Sequence, residues 1–250
     1  MGKNILVVDD ELKIRELFYD LFSVKGYKII TAAGGEEGVK ILKSKKIDLV
    51  LLDMKMPQLS GIDTLKKMRE ISPKVKVIML TALEDPELDR QARHEGATGL
   101  MRKSWGITAI SKIVNSVIDE NLDVSQEARK RILIVDDDEE ICILLGDFLK
   151  RKGFSPIITR SGEEALEKVK SERPIIVLLD MNMPGMDGLM ALKKIKEANE
   201  ATGVIVITGS GDENIALEAM KLGIYDYLIK PVNLDYLLFS LISKIILRSA

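Results

Sequence analysis

Short runs of apolar residues alternate with longer amphipathic stretches along the whole chain. Runs dense in Val, Ile and Leu read as strands buried on both faces. They fall at Ile5 to Val8, Lys28 to Ala32, Leu49 to Leu52, Val75 to Leu80 and Gly99 to Met101. Between them, apolar residues recur at helical spacing over Leu12 to Val24, Glu36 to Lys43, Ile62 to Ile71, Glu87 to Glu95 and Ile107 to Leu122. Strict alternation of strand and helix predicts parallel strands joined by crossover helices.

The pattern then starts again at Ile132 to Val135 and runs to a closing helix at about Leu234 to Leu247. Asp9 and Asp136, Asp10 and Asp137, Asp53 and Asp180, Thr81 and Thr208, and Lys103 and Lys230 all stand 127 residues apart. Gly26 and Gly153 keep the same interval, as do Gly35 and Gly162, and Gly96 and Gly223. So long a period is a duplicated domain rather than a solenoid repeat. The polar stretch "DENLDVSQEARKR" reads as a helix end followed by a linker, which predicts domains at 1–121 and 131–250 joined by 122–130. Each would be α/β, with a five-stranded parallel sheet. A chain of 250 residues accommodates two such domains.

Composition excludes more than it selects. Hydrophobic residues make up 46% and charged residues 30%, as in an ordinary globular protein, and the formal net charge is −2. Residues 1–121 carry 20 basic and 18 acidic side chains and residues 129–250 carry 17 and 19, so neither half is a basic platform for nucleic acid. Helix-turn-helix, zinc-finger, P-loop and dinucleotide-binding patterns are missing. No apolar run is long enough for a membrane helix, and "MGKNILVVDD" has no signal-peptide core, so a cytoplasmic protein is expected. Cys142, the single cysteine, lies on an apolar helical face and reads as a packing residue, and His94 as a solvated one.

The chemistry sits at the strand ends. Asp9, Asp10, Asp53, Thr81 and Lys103 each follow an apolar strand, as do Asp136, Asp137, Asp180, Thr208 and Lys230. Ligands bind beyond the carboxyl ends of the strands in sheets of this kind. Three carboxylates held together repel one another and cost stability unless a cation neutralises them. Oxygen-only ligands favour a hard ion, Mg2+ above all, and an opposing lysine and hydroxyl complete a pocket for a phosphoryl group. A strand-end aspartate can also simply cap the next helix, but the full set at unchanged spacing in two copies argues against that use.

Both halves resemble receiver domains of two-component response regulators, the CheY-like family. The motifs are "VVDDE" and "IVDDD", "LLDMKMPQLSG" and "LLDMNMPGMDG", "MLTA" and "VITG", and "MRKS" and "LIKP". The resemblance implies two flavodoxin-like (βα)5 domains of strand order 2-1-3-4-5, with helices on both faces. It implies that Asp53 and Asp180 accept a phosphoryl group from a sensor histidine kinase, a histidine phosphotransfer protein or a small phosphodonor. Asp10 and Asp137 would then bind Mg2+ directly, with Asp9 and Asp136 acting through water. The backbone carbonyls of Lys55 and Asn182 would add ligands. Lys103 and Lys230 would pair with the phosphoryl group, and Thr81 and Thr208 would hydrogen-bond it.

The family relays this event through the threonine and an aromatic to the face of helix 4, strand 5 and helix 5, a surface that can also form homodimers. Tyr227 occupies the aromatic position in the second copy and Pro231 follows Lys230, where the family usually has a cis peptide. The first copy has Leu100 and Ser104 instead, so its switch is expected to couple weakly or differently unless Leu100 is merely a packing variant. No catalysis is expected beyond self-phosphorylation and autodephosphorylation. Output is expected through contacts with a downstream protein that the sequence does not identify, without direct nucleic-acid binding. Two alternatives stay open: a phosphate sink or adaptor with one non-signalling receiver, and the receiver part of a longer chain with an effector such as a diguanylate cyclase. A Mg2+-dependent phosphohydrolase is a further class, but the "DxDxT" motif is absent at both aspartates.

Overall fold

The computed structural model describes residues 2–82, 85–119, 131–209 and 218–247. The chain divides into two compact units, the first ending near Asn121 and the second beginning near Leu122. The expected linker 122–130 lies outside the described residues, as do the end of the helix expected to reach Leu122 and residues 210–217 of the second unit.

In the first unit β1 (Asn4–Val8), α1 (Leu12–Ser23), β2 (Lys28–Ala32), α2 (Gly35–Ser44) and β3 (Leu49–Asp53) are followed by α3 (Gly61–Ile71), β4 (Lys76–Thr81), α4 (Pro86–His94), β5 (Gly99–Arg102) and α5 (Ile107–Asp119). The second unit contains β6 (Arg131–Val135), α6 (Glu139–Arg151), β7 (Ser155–Thr159), α7 (Gly162–Glu172), β8 (Ile176–Asp180), α8 (Gly188–Ala198), β9 (Gly203–Thr208), β10 (Asp226–Ile229) and α9 (Leu234–Leu247). The sheets run β2-β1-β3-β4-β5 and β7-β6-β8-β9-β10. Every pair is parallel. This is the flavodoxin-like order expected from the sequence, once in each unit.

Alternation of side chains across each strand divides the core. In the first unit Leu6, Val8, Val50, Leu52, Val77 and Met79 pack with Val39, Leu42, Leu65 and Met68 of α2 and α3. Ile5, Val7, Leu49, Leu51, Ile78 and Leu80 are equally buried and point to the opposite face of the sheet. Each such side chain removed from water contributes roughly 1.5–3 kcal/mol. Polar clasps add direction at the unit's edge. Tyr27 Oη donates to Asp119 Oδ2 at 3.2 Å, Lys76 Nζ donates to the Val117 carbonyl at 2.6 Å, and burial beside Asp119 pushes the Tyr27 phenol up to about 12.

Element ends differ from the sequence reading where backbone packing intervenes. The helices after β2 and β3 begin one residue earlier than their apolar periodicity suggested, at Gly35 and Gly61. A Cβ on Gly61 would stand 2.2 Å from the Asp53 carbonyl oxygen, and one on Gly188 would stand 2.5 Å from Met181 Cα. Only a glycine lets α3 and α8 start this close to the strand end. The side chains of Ser60 and Asp187 cap these helices, accepting from Asp63 N at 3.1 Å and Met190 N at 2.7 Å. Replacing Gly61 by Ala is expected to destabilise the first unit by about 1–3 kcal/mol. A urea melt followed by circular dichroism would show a lower midpoint, and an unchanged midpoint would contradict the close approach.

Candidate functional site

Strand ends deliver the site. Asp53 and Asp180 are the last residues of β3 and β8, and Thr81 and Thr208 the last of β4 and β9. Asp9 and Asp136 follow β1 and β6 directly. The backbone N–H groups of Lys103 and Lys230 donate to the Thr81 and Thr208 carbonyls at 2.8 Å, continuing the ladder one residue past β5 and β10 and turning each lysine inward. Lys103 Nζ then lies 2.8 Å from Asp9 Oδ2 and 2.8 Å from Asp53 Oδ1. Lys230 Nζ lies 2.9 Å from Asp136 Oδ2 and 3.0 Å from Asp180 Oδ2. The lysine and the two buried aspartates thus lie together at the rim of both units.

Burial makes the arrangement costly. Asp9 is fully buried, and Asp53, Asp136, Asp180, Thr81 and Thr208 are buried, while Asp10 and Asp137 are exposed. Each set of three aspartates brings carboxylate oxygens within 4.8 Å of one another. Asp9 Oδ1 accepts from Glu11 N at 2.9 Å and Asp136 Oδ1 from Asp138 N at 3.0 Å. Their Oδ2 atoms, also buried, meet the lysine at 2.8 and 2.9 Å and, among the described residues, accept no other hydrogen bond. One ammonium against three carboxylates leaves net negative charge and spare oxygen lone pairs, a donor set that fits a hard divalent cation such as Mg2+.

The titration behaviour follows from the same geometry. Burial raises Asp53 above the ordinary carboxylate range; Lys103 opposes this, and Asp9 and Asp10 add to it. In the second unit it is Asp136 that burial raises, against Lys230 and the Asp138 backbone, with Asp180 adding to the rise. Burial alone would lower both lysines, but the carboxylates outweigh it and hold Lys103 and Lys230 above the usual ammonium range.

The contacts of four residues were not legible in the motifs. Arg15, on the first turns of α1, donates through Nη1 to the Asp9 and Asp10 carbonyls at 2.7 and 2.9 Å. Its counterpart 127 residues on is Cys142, buried, whose Sγ donates to the Asp136 carbonyl at 3.2 Å, so the cysteine read as packing also touches the rim. Burial pushes its thiol up. Glu11 reaches Lys103 at 3.5 Å. The equivalent Asp138 instead caps α6, accepting from Glu140 N at 2.8 Å and Ile141 N at 3.3 Å. The only signal was position: these residues occupy the loop and first turns after the paired acids.

Other expected residues lie around the rim. Lys55 and Asn182 are exposed, and Asn182 N donates to Asp180 Oδ1 at 3.3 Å. Tyr227 is buried in the second core, and Leu100 packs half-buried against the first. The Lys230–Pro231 peptide is cis.

Because Asp53 ionises less readily folded than unfolded, its cost is absent below the ordinary 3.8 and grows as pH rises through its folded value. In metal-free buffer at pH 7, Asp53→Asn is therefore expected to raise the melting temperature, by about 4 °C for each kcal/mol recovered, with the gain disappearing as pH falls below 3.8. Lys103→Met should do the reverse, costing roughly 3 kcal/mol by leaving buried carboxylates unpaired. Calorimetric melts across pH check both signs.

The family described as response regulator receiver domain matches residues 5–115 and again residues 132–241. Transcriptional regulatory protein ZraR of Escherichia coli K12 is 42% identical over 106 residues, covering 42% of this chain and 24% of that protein. Sporulation initiation phosphotransferase F of Bacillus subtilis is 40% identical over 106 residues, covering 42% of this chain and 86% of that protein. A crystal structure of a two-component system response regulator/GGDEF domain protein aligns over 99% of both chains at 20% identity and a TM-score of 0.47. With both halves matched and the acid, threonine and lysine positions gathered at both rims, the chain belongs to the response regulator receiver family and carries two receiver domains in tandem.

Proposed function

We propose that the chain is a tandem-receiver response regulator, with receivers at 1–121 and 131–250 joined by 122–130, in which Asp53 and Asp180 each accept a phosphoryl group. The observation that carries this reading is the lysine held within 3.0 Å of both the strand-end aspartate and the buried acid beside it, repeated in the two units. Receiver domains are signalling modules rather than turnover enzymes, and they receive phosphoryl groups from histidine kinases or phosphotransfer proteins. The cognate donor class proposed here is a sensor histidine kinase or histidine phosphotransfer protein, with output through a further protein partner.

The chemistry follows from the residues. A carboxylate oxygen of Asp53 or Asp180 forms the bond to phosphorus as the phosphorus–nitrogen bond of the donor breaks, and the electron pair leaves with the imidazole. Lys103 or Lys230 would donate to the new negative oxygens in exchange for the aspartate it now holds. Thr81 and Thr208, both buried at strand ends, would turn their hydroxyls to the same oxygens; the Thr208 hydroxyl would leave the Gly209 carbonyl, to which it donates at 3.3 Å. Asp9, Asp10 and the Lys55 carbonyl would hold Mg2+ with Asp53, and Asp136, Asp137 and the Asn182 carbonyl with Asp180. Bound there, the ion would supply charge neutralisation for the phosphoryl transfer.

Only the second receiver has a buried aromatic at the relay position, Tyr227, so it is the better suited to pass the event to its outer face; homodimerisation through that face belongs to the same proposal. Lys55, exposed where the second receiver has Asn182, bears on how long the first phosphoryl group survives.

Intact-protein mass spectrometry after incubation with acetyl phosphate and Mg2+ tests the reading. Two additions are expected, one lost in Asp53→Ala and the other in Asp180→Ala. A single addition would restrict the acceptor role to one receiver, and none would contradict it. Lys55→Asn is expected to change the decay rate of the Asp53 adduct alone, followed by the same measurement over time.

A further inference from the structure

The two acid clusters are alike in their aspartates and lysine but not in what stands behind them. Arg15 places a guanidinium on the carbonyls of both acids, Asp9 at 2.7 Å and Asp10 at 2.9 Å. It is half-buried, so water screens its charge less than at an open surface. In the second receiver the same helix position holds Cys142, an uncharged thiol that contacts only the first of the two carbonyls, Asp136 O. The neighbouring charges do not cancel this difference. Glu11, an exposed acid, is taken up by Lys103 at 3.5 Å, whereas the positionally equivalent Asp138 caps α6. Lys55 against Asn182 adds another positive charge to the first rim, though an exposed one. On the second rim Arg160 is matched by its own ion pair with Glu139 at 2.7 Å.

We infer that the two receivers differ in affinity for their divalent cation: Arg15 weakens Mg2+ binding at Asp9, Asp10 and Asp53, and the second receiver, with Cys142 in its place, binds the ion more tightly. The inference rests on the Mg2+ site proposed above. A half-buried unit charge within one residue's reach of a divalent ion changes its affinity by roughly three- to tenfold. At a Mg2+ concentration midway on a logarithmic scale between the two dissociation constants, the second receiver would be about 63–76% loaded and the first about 24–37%. The chain would then respond to phosphodonor at one receiver first, in an order set by the cation.

Isothermal titration of the full chain with MgCl2 tests this. Two classes of site are expected, the tighter lost in Asp137→Asn and the weaker in Asp10→Asn. Arg15→Gln should tighten the weaker class three- to tenfold, while Arg15→Lys, which keeps the charge, should leave it weak. A purely structural role for Arg15 would not separate the two variants by charge. Equal affinities at the two sites, a weaker class assigned to the second receiver, or no difference between the Gln and Lys variants would overturn the inference while leaving the Mg2+ sites intact. Absence of Mg2+ binding at both sites would instead overturn the site itself, and a melting curve for each variant confirms that folded protein is being titrated.

Discussion

A buried carboxylate beside other carboxylates is a cost that a fold bears only for a reason. In each receiver the sheet carries that cost at its rim. Two acids follow the first strand, one ends the third, and a single lysine beyond the fifth is the only cation inside the cluster among the described residues. The residual negative charge suits the rim to a divalent ion, and on the proposed reading the ammonium would meet the phosphoryl group. The packing below it serves to hold those groups together. Parallel strands in the order β2-β1-β3-β4-β5 bring the ends of β1, β3 and β4 side by side, which separate loops could not do with the same rigidity.

Much of this was readable from residues alone. Continuous Val, Ile and Leu runs identify strands covered on both faces, and an acid at the end of such a run has few explanations, fewer still when it recurs at a fixed interval. Tertiary approach was less readable. That α3 begins at Gly61 depends on the Asp53 carbonyl lying 2.2 Å from where a Cβ would be, a fact of packing rather than of periodicity. Likewise, nothing local distinguishes a Glu11 that turns toward Lys103 from an Asp138 that turns back to cap its own helix.

Duplication gives the chain its own internal control. The groups that perform the proposed chemistry are matched between the copies, whereas the groups around them are not: Arg15 and Cys142, Lys55 and Asn182, Leu100 and Tyr227. On the proposed reading, differences concentrated around an unchanged centre would alter how readily the centre is loaded, how long it stays modified and how far the event is felt, without altering the reaction. Two receivers of the same chemistry and different tuning can report on different ranges of one input.

The central claim is that attack comes from the strand-end carboxylate and from no other acid of the cluster. Peptide mapping after treatment with phosphodonor and reduction with borohydride tests it directly, since an acyl phosphate is reduced to the alcohol and turns its aspartate into homoserine. The account predicts homoserine at Asp53 and Asp180. Homoserine at Asp9, Asp10, Asp136 or Asp137 instead, or at none of the six, would contradict it.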